Sequence, residues 1–68
     1  MSRISKKFGL QLRNLRLDRN LSQLELAEKA GLDVTTINEL ENSHRDPLFA
    51  TVKKIAKALR TSIDQITS

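Results

Sequence analysis

Residues 21–40 read LSQLELAEKAGLDVTTINEL, two short helical patterns separated by Ala30-Gly31-Leu32. Ser22 and Glu25 have the Ser-x-x-Glu spacing in which the serine oxygen accepts from an orphan N–H of the first turn and the glutamate answers the N–H of the cap. A helix is therefore expected from about Gln23. Leu26, Ala27 and Ala30 recur on one face, while Glu25, Glu28 and Lys29 take the other. Gly31 supplies the left-handed backbone that ends a helix without steric cost. After the turn, Asp33 is placed to cap a second helix whose inward positions are Ile37 and Leu40. Thr35, Thr36, Asn38 and Glu39 are left to point outward, and the small Ala27 lets the two helices cross closely.

Residues 22–41 thus have the layout of a helix-turn-helix, in which one helix braces a second that lies in the DNA major groove. The outward residues suit that task. Asn38 has the groups to pair bidentately with adenine, Glu39 to accept from cytosine N4, and Thr35 and Thr36 to offer a hydroxyl or a methyl. Val34, near the helix start, can press on a thymine methyl. For Glu39 the competing reading is a solvated acid or the partner of a nearby arginine. Periodicity alone leaves a generic helical hairpin as the alternative for the whole motif.

The remaining pattern makes an all-α chain of five helices. A first helix from about Lys6 to Arg19 carries Phe8, Leu12 and Leu15 at i, i+4, i+7. A fourth from about Leu48 to Leu59 turns Val52, Ile55, Ala56 and Leu59 inward and Lys53, Lys54 and Lys57 outward. Asp46-Pro47 offers that helix a cap and a proline suited to a first turn. A short fifth helix near Ser62 to Ile66 carries Ile63 and Ile66. The expected core is Phe8, Leu12, Leu15, Leu21, Leu26, Ala27, Ile37, Leu40, Val52, Ile55, Ala56 and Leu59.

With 68 residues the chain reads as one domain, 1–68, whose small core would gain from association with a second copy. Its 12 basic and 8 acidic residues leave a net charge of +4, unevenly spread. Residues 1–20 carry +5, residues 21–44 carry −4 and residues 45–68 carry +3. Phosphate contacts are accordingly expected from the first helix and the Arg45 region more than from residues 34–41. Without cysteine there is no disulfide or thiolate metal site, and the single histidine, His44, makes no metal cluster. No metal, cofactor or small-molecule ligand is expected. No membrane-length apolar run or secretory apolar core is visible, which points to a cytoplasmic protein that acts off the membrane. An enzyme is disfavoured by the lack of a cysteine nucleophile, a glycine-rich phosphate loop or a His-acid-Ser grouping.

Four segments, FGLQLRNLR at 8–16, LSQLELAEKAGL at 21–32, INELENSHRDP at 37–47 and VKKIAKAL at 52–59, resemble in order and spacing the lambda-repressor/Cro-type (XRE) helix-turn-helix family of bacterial and phage regulators. In size the chain resembles the small controller proteins of restriction-modification systems. The resemblance implies a compact five-helix bundle that binds operator DNA as a homodimer. It also implies that Gln23 contacts a phosphate, that Asn42, Ser43, His44 and Arg45 form a loop touching the DNA backbone, and that Arg16 and Glu41 make an ion pair within the fold. Gly9 matches the family's small residue. The family's glycines before Leu21 and after Leu59 are here Asn20 and Arg60. Asparagine tolerates a left-handed conformation well. Arg60 implies either strain or a differently shaped helix end.

Together these readings give a sequence-specific transcriptional regulator that binds double-stranded DNA at a pseudo-palindromic operator. Phe49 and Ile63 are the expected dimer anchors, with completion of the monomer core as their competing role. The alternative function is an antitoxin that also binds DNA, with Leu10, Leu17 and Leu24 as its spare apolar residues.

Overall fold

A computed structural model describes residues 3–67, with side chains from Lys6 onward, and places five helices: α1 (Arg3–Asp18), α2 (Gln23–Ala30), α3 (Val34–Glu41), α4 (Phe49–Leu59) and α5 (Ile63–Thr67). There is no strand among the described residues. The capping pair of α2 is complete: Glu25 N–H donates to Ser22 Oγ at 3.0 Å, and Ser22 N–H donates to Glu25 Oε1 at 2.8 Å. The Ser22 N–H, and after it the Ser22 hydroxyl, hold the Glu25 carboxyl below its usual range, because donors to the carboxylate favour its charged form. Gly31 closes α2 in the left-handed region, with φ 69°.

Other boundaries differ from the sequence reading. Asp33 occupies the cap position of α3 but makes no side-chain bond there. The cap residue of α4 is Leu48, again without a side-chain bond, so Asp46 and Pro47 both lie before the cap position. Ser62 starts α5, its Oγ accepting from the Gln65 N–H at 3.1 Å. The first helix begins at Arg3, a turn earlier than expected, and stops at Asp18. Arg19 lies past its end and ties α1 to α4, its Nε donating to the Leu59 carbonyl.

The core is Phe8 and Leu12 of α1, Leu26, Ala27 and Ala30 of α2, Ile37 and Leu40 of α3, Val52, Ile55, Ala56 and Leu59 of α4, and Ile66 of α5. Leu15 and Leu21, expected inside, are only partly buried against it. Ala30 and Ile66 take full places instead: five residues of α5 bury almost nothing alone, and only docking on the other helices covers Ile66. Every helix contributes to this cluster, so none is stable by local propensity alone.

Asn20 and Arg60 both adopt left-handed backbone, each with φ 56°. The α4 terminus therefore keeps the glycine-type closure, with Arg60 N–H bonded to the Lys57 carbonyl and Thr61 N–H to that of Ala56. Arginine pays a Cβ penalty there of about 1 to 2 kcal/mol, while glycine would cost about 0.5 to 1 kcal/mol in chain entropy. Arg60→Gly is thus expected to stabilise the fold by roughly 0.5 to 1 kcal/mol. A thermal melt reads this directly, and a lower melting temperature would mean that the Arg60 side chain contributes more than its backbone costs.

Candidate nucleic-acid interface

The outward face of α3 is built by subtraction. Ile37 and Leu40 are fully buried, which turns Val34, Thr35 and Asn38 outward as exposed residues. Thr35 lies at the centre of this face. Thr36 and Glu39 are half-buried at its edge. Thr36 lines a cavity of about 260 Å³ with Leu40, Arg45, Asp46, Leu48 and Thr51, between α3 and the start of α4. An eight-residue helix is about 12 Å long, comparable with the width of a major groove.

Gln23 stands beside this face, half-buried in the first turn of α2. A chain of side-chain bonds holds it. Arg16 Nε donates to Glu41 Oε2 at 2.6 Å and Nη2 to Glu41 Oε1 at 3.0 Å, a two-bond fork between α1 and the last residue of α3. Arg16 Nη1 donates to the Leu21 carbonyl at 2.7 Å, which fixes the loop entering α2. Gln23 Nε2 donates to Glu41 Oε1 at 3.2 Å, and Gln23 Oε1 accepts from Asn38 Nδ2 at 3.2 Å. The phosphate candidate and the groove-facing helix are thus joined through one carboxylate.

The loop after α3 is equally fixed. Ser43 takes left-handed backbone at φ 60°, and the His44 N–H donates to the Glu39 carbonyl at 2.8 Å. Asn42 Nδ2 closes on the Asn38 carbonyl at 2.9 Å. Asn42, His44 and Arg45 are exposed along this turn, with Ser43 half-buried among them. Arg45 Nε lies 3.6 Å from Glu39 Oε1, so the alternative reading of Glu39 as an arginine partner describes the geometry. Both groups are well solvated, and such a pair holds little energy.

Charge is distributed less freely than the sequence implied. Of the basic residues in the first segment, Arg16 is committed to Glu41 and Arg19 to the carbonyls of Leu59 and Leu15. Lys6, Lys7 and Arg13 of α1 are exposed. One feature of the site could not be anticipated from spacing: the Asn38–Gln23 bond requires the crossing of α2 and α3.

Residues 12–66 match the helix-turn-helix family over nearly the whole bundle, including the capped brace, the exposed α3 face and the loop just described. The chain belongs to the helix-turn-helix family. Among similar proteins of this family, the HTH-type transcriptional repressor RghR of Bacillus subtilis (strain 168) is 43% identical over 56 residues, covering 81% of this chain and 42% of the repressor. Control protein C.SmaI of Serratia marcescens is 40% identical over 55 residues, covering 81% of this chain and 66% of that protein. The crystal structure of the restriction-modification controller protein C.AhdI from Aeromonas hydrophila superposes with a TM-score of 0.89 at 34% identity, covering 91% of this chain and 94% of that one. The chain spans less than half the length of the Bacillus subtilis repressor. Among the described residues, no helix is long and apolar enough to cross a membrane.

Proposed function

We propose that this chain is a sequence-specific DNA-binding transcriptional regulator of the controller type, acting in the cytoplasm as a homodimer on a pseudo-palindromic operator. The observation that carries the reading is the exposed polar face of α3 set beside Gln23 and braced from behind by the Arg16–Glu41 fork. Each α3 would enter one major groove, with the two half-sites about one helical turn apart. Thr35, at the centre of the face, reads a base edge; Val34, Thr36 and Glu39 flank it. Gln23 and the Asn42–Arg45 turn hold phosphates.

Thr35→Ala and Arg45→Ala should therefore differ in kind. Loss of Arg45 weakens binding to every duplex and lowers the salt slope by about 0.9, the value for one phosphate contact. Loss of Thr35 changes the preferred base at one position and leaves the slope alone. Titrations of operator and random DNA over several salt concentrations separate the two. Equal loss on both DNAs for Thr35→Ala would remove it from base reading.

The dimer contact is assigned to the start of α4, where Leu48 is 73% and Phe49 67% exposed, two adjacent large apolar residues. Lys53 Nζ lies 5.7 Å from the Phe49 ring centroid, which orients the ring without covering it. Ile63 is half-buried and packs on the core, so it serves the monomer first and can only border such an interface. An aromatic at the centre of an interface is a typical hot spot, and Phe49→Ala is expected to cost about 2 kcal/mol or more of association energy. DNA affinity falls with it, since linked half-site contacts lose their effective concentration. Sedimentation of wild type and variant across micromolar concentrations is the check; a wild type that stays monomeric there rejects this interface.

A second reading, an antitoxin that also binds DNA, draws support from Leu10, Leu17 and Leu24, each more than half exposed. An operator footprint made by the chain alone favours the regulator, and a stoichiometric complex with a coexpressed toxin the antitoxin.

A further inference from the structure

We infer that Asn38 is a positioning residue for the phosphate contact of Gln23 and does not read a base. The inference rests on the DNA-binding reading above and adds a division of labour within it. A primary amide has two N–H donors and one acceptor oxygen. The Gln23 oxygen accepts from Asn38 at 3.2 Å, and one of its N–H groups donates to Glu41 at 3.2 Å. Both contacts act on the same amide, so they fix its plane and decide which end is nitrogen. The remaining N–H of Gln23 Nε2 has no partner among the described residues and is the group left for a phosphate oxygen.

Bidentate reading of adenine requires the Asn38 oxygen and one of its two N–H groups to face the base edge together in one plane. The bond to Gln23 takes one N–H and aims the Asn38 amide at the start of α2, away from the middle of the outward face. Asn38 lies on the side of α3 that faces the start of α2, whereas Thr35 lies at the centre of the outward face. Through Gln23 and Glu41 the same chain reaches Arg16 of α1, so the phosphate clamp is referenced to three helices at once.

The test measures binding of wild type, Gln23→Ala, Asn38→Ala and the double variant to operator, to random duplex and to a panel of singly substituted operators. Gln23→Ala is expected to weaken all duplexes about tenfold, as loss of one hydrogen bond to a charged group does. Asn38→Ala should weaken all of them several-fold with an unchanged base preference. The double variant should bind within about twofold of Gln23→Ala, since Asn38 acts only through Gln23. A structural role would instead lower the melting temperature and add to the Gln23 loss. Alanine is a good helix former, so the exposed position 38 tolerates it. A shifted base preference for Asn38→Ala, or additive losses, overturns the inference while leaving the regulator intact. A wild type that discriminates among no duplexes overturns the regulator reading, and this inference with it.

Discussion

Arg16→Ala is expected to cost about 3 to 5 kcal/mol of folding stability, most or all of what a chain this size has. The side chains of Arg16 and Glu41 are only 11% and 3% exposed, so their charges are largely removed from water. Removing the guanidinium strands the Glu41 carboxylate with Gln23 Nε2 as its remaining donor, and the Leu21 carbonyl loses Arg16 Nη1. The large figure describes breaking the pair, not forming it. Desolvation offsets much of the attraction between buried charges, so an apolar pair of similar volume restores most of the loss. Arg16→Met combined with Glu41→Leu should thus be more stable than Arg16→Ala. Urea denaturation of the three chains gives the comparison through their midpoints. A loss below about 1 kcal/mol for Arg16→Ala would mean that water reaches Glu41 and that the pair behaves as a surface contact.

Gly9→Ala should be the next most damaging change, although alanine favours helix over glycine by about 1 kcal/mol. Gly9 is buried in α1 against the end of α3. A Cβ there would stand 2.6 Å from the Leu40 carbonyl oxygen, 2.9 Å from that of Glu41 and 3.0 Å from Ser43 Oγ. Two of the three obstacles are backbone, and neither can swing aside as a side chain does. The methyl therefore pushes α1 away from α3 and opens the packing of Phe8 and Leu12. Overpacking of this kind costs about 1 to 3 kcal/mol or more, which outweighs the propensity gain. A net loss of about 1 to 2 kcal/mol should lower the melting temperature by roughly 4 to 16 °C in a domain this small. Asn14→Ala, at an exposed position of the same helix, is the control. If Gly9→Ala melts at or above wild type, α1 slides freely over α3 and no close backbone approach governs their spacing.

Both predictions concern the joint between α1 and α3, and the division between sequence and structure runs through it. The helix-turn-helix was readable locally, because the Ser22–Glu25 capping pair, the Gly31 closure and the Ile37 and Leu40 spacing act within one or two turns of chain. Arg16, Glu41 and Gly9 were reached by resemblance to a family pattern, since residues 25 apart in the chain share no local signal. Asp46-Pro47 marked the start of α4 to within a residue, yet the cap position falls on Leu48, because a favourable cap residue does not compel a cap when the incoming chain runs another way. Leu15 and Leu21 have the periodicity of core residues, yet they stop at its margin, while Ile66 is buried because α5 docks. Only the tertiary structure could decide that Asn38 bonds to Gln23, that Glu39 meets Arg45, and that Leu48 joins Phe49 on the surface. Those outcomes depend on how helices cross and where a loop returns, and the energies that set them come from core packing among all five helices. By itself the sequence determined which segments are helical, which face of each is apolar, and which polar residues α3 offers; the packing decided which of them stay exposed and which bond to neighbouring side chains.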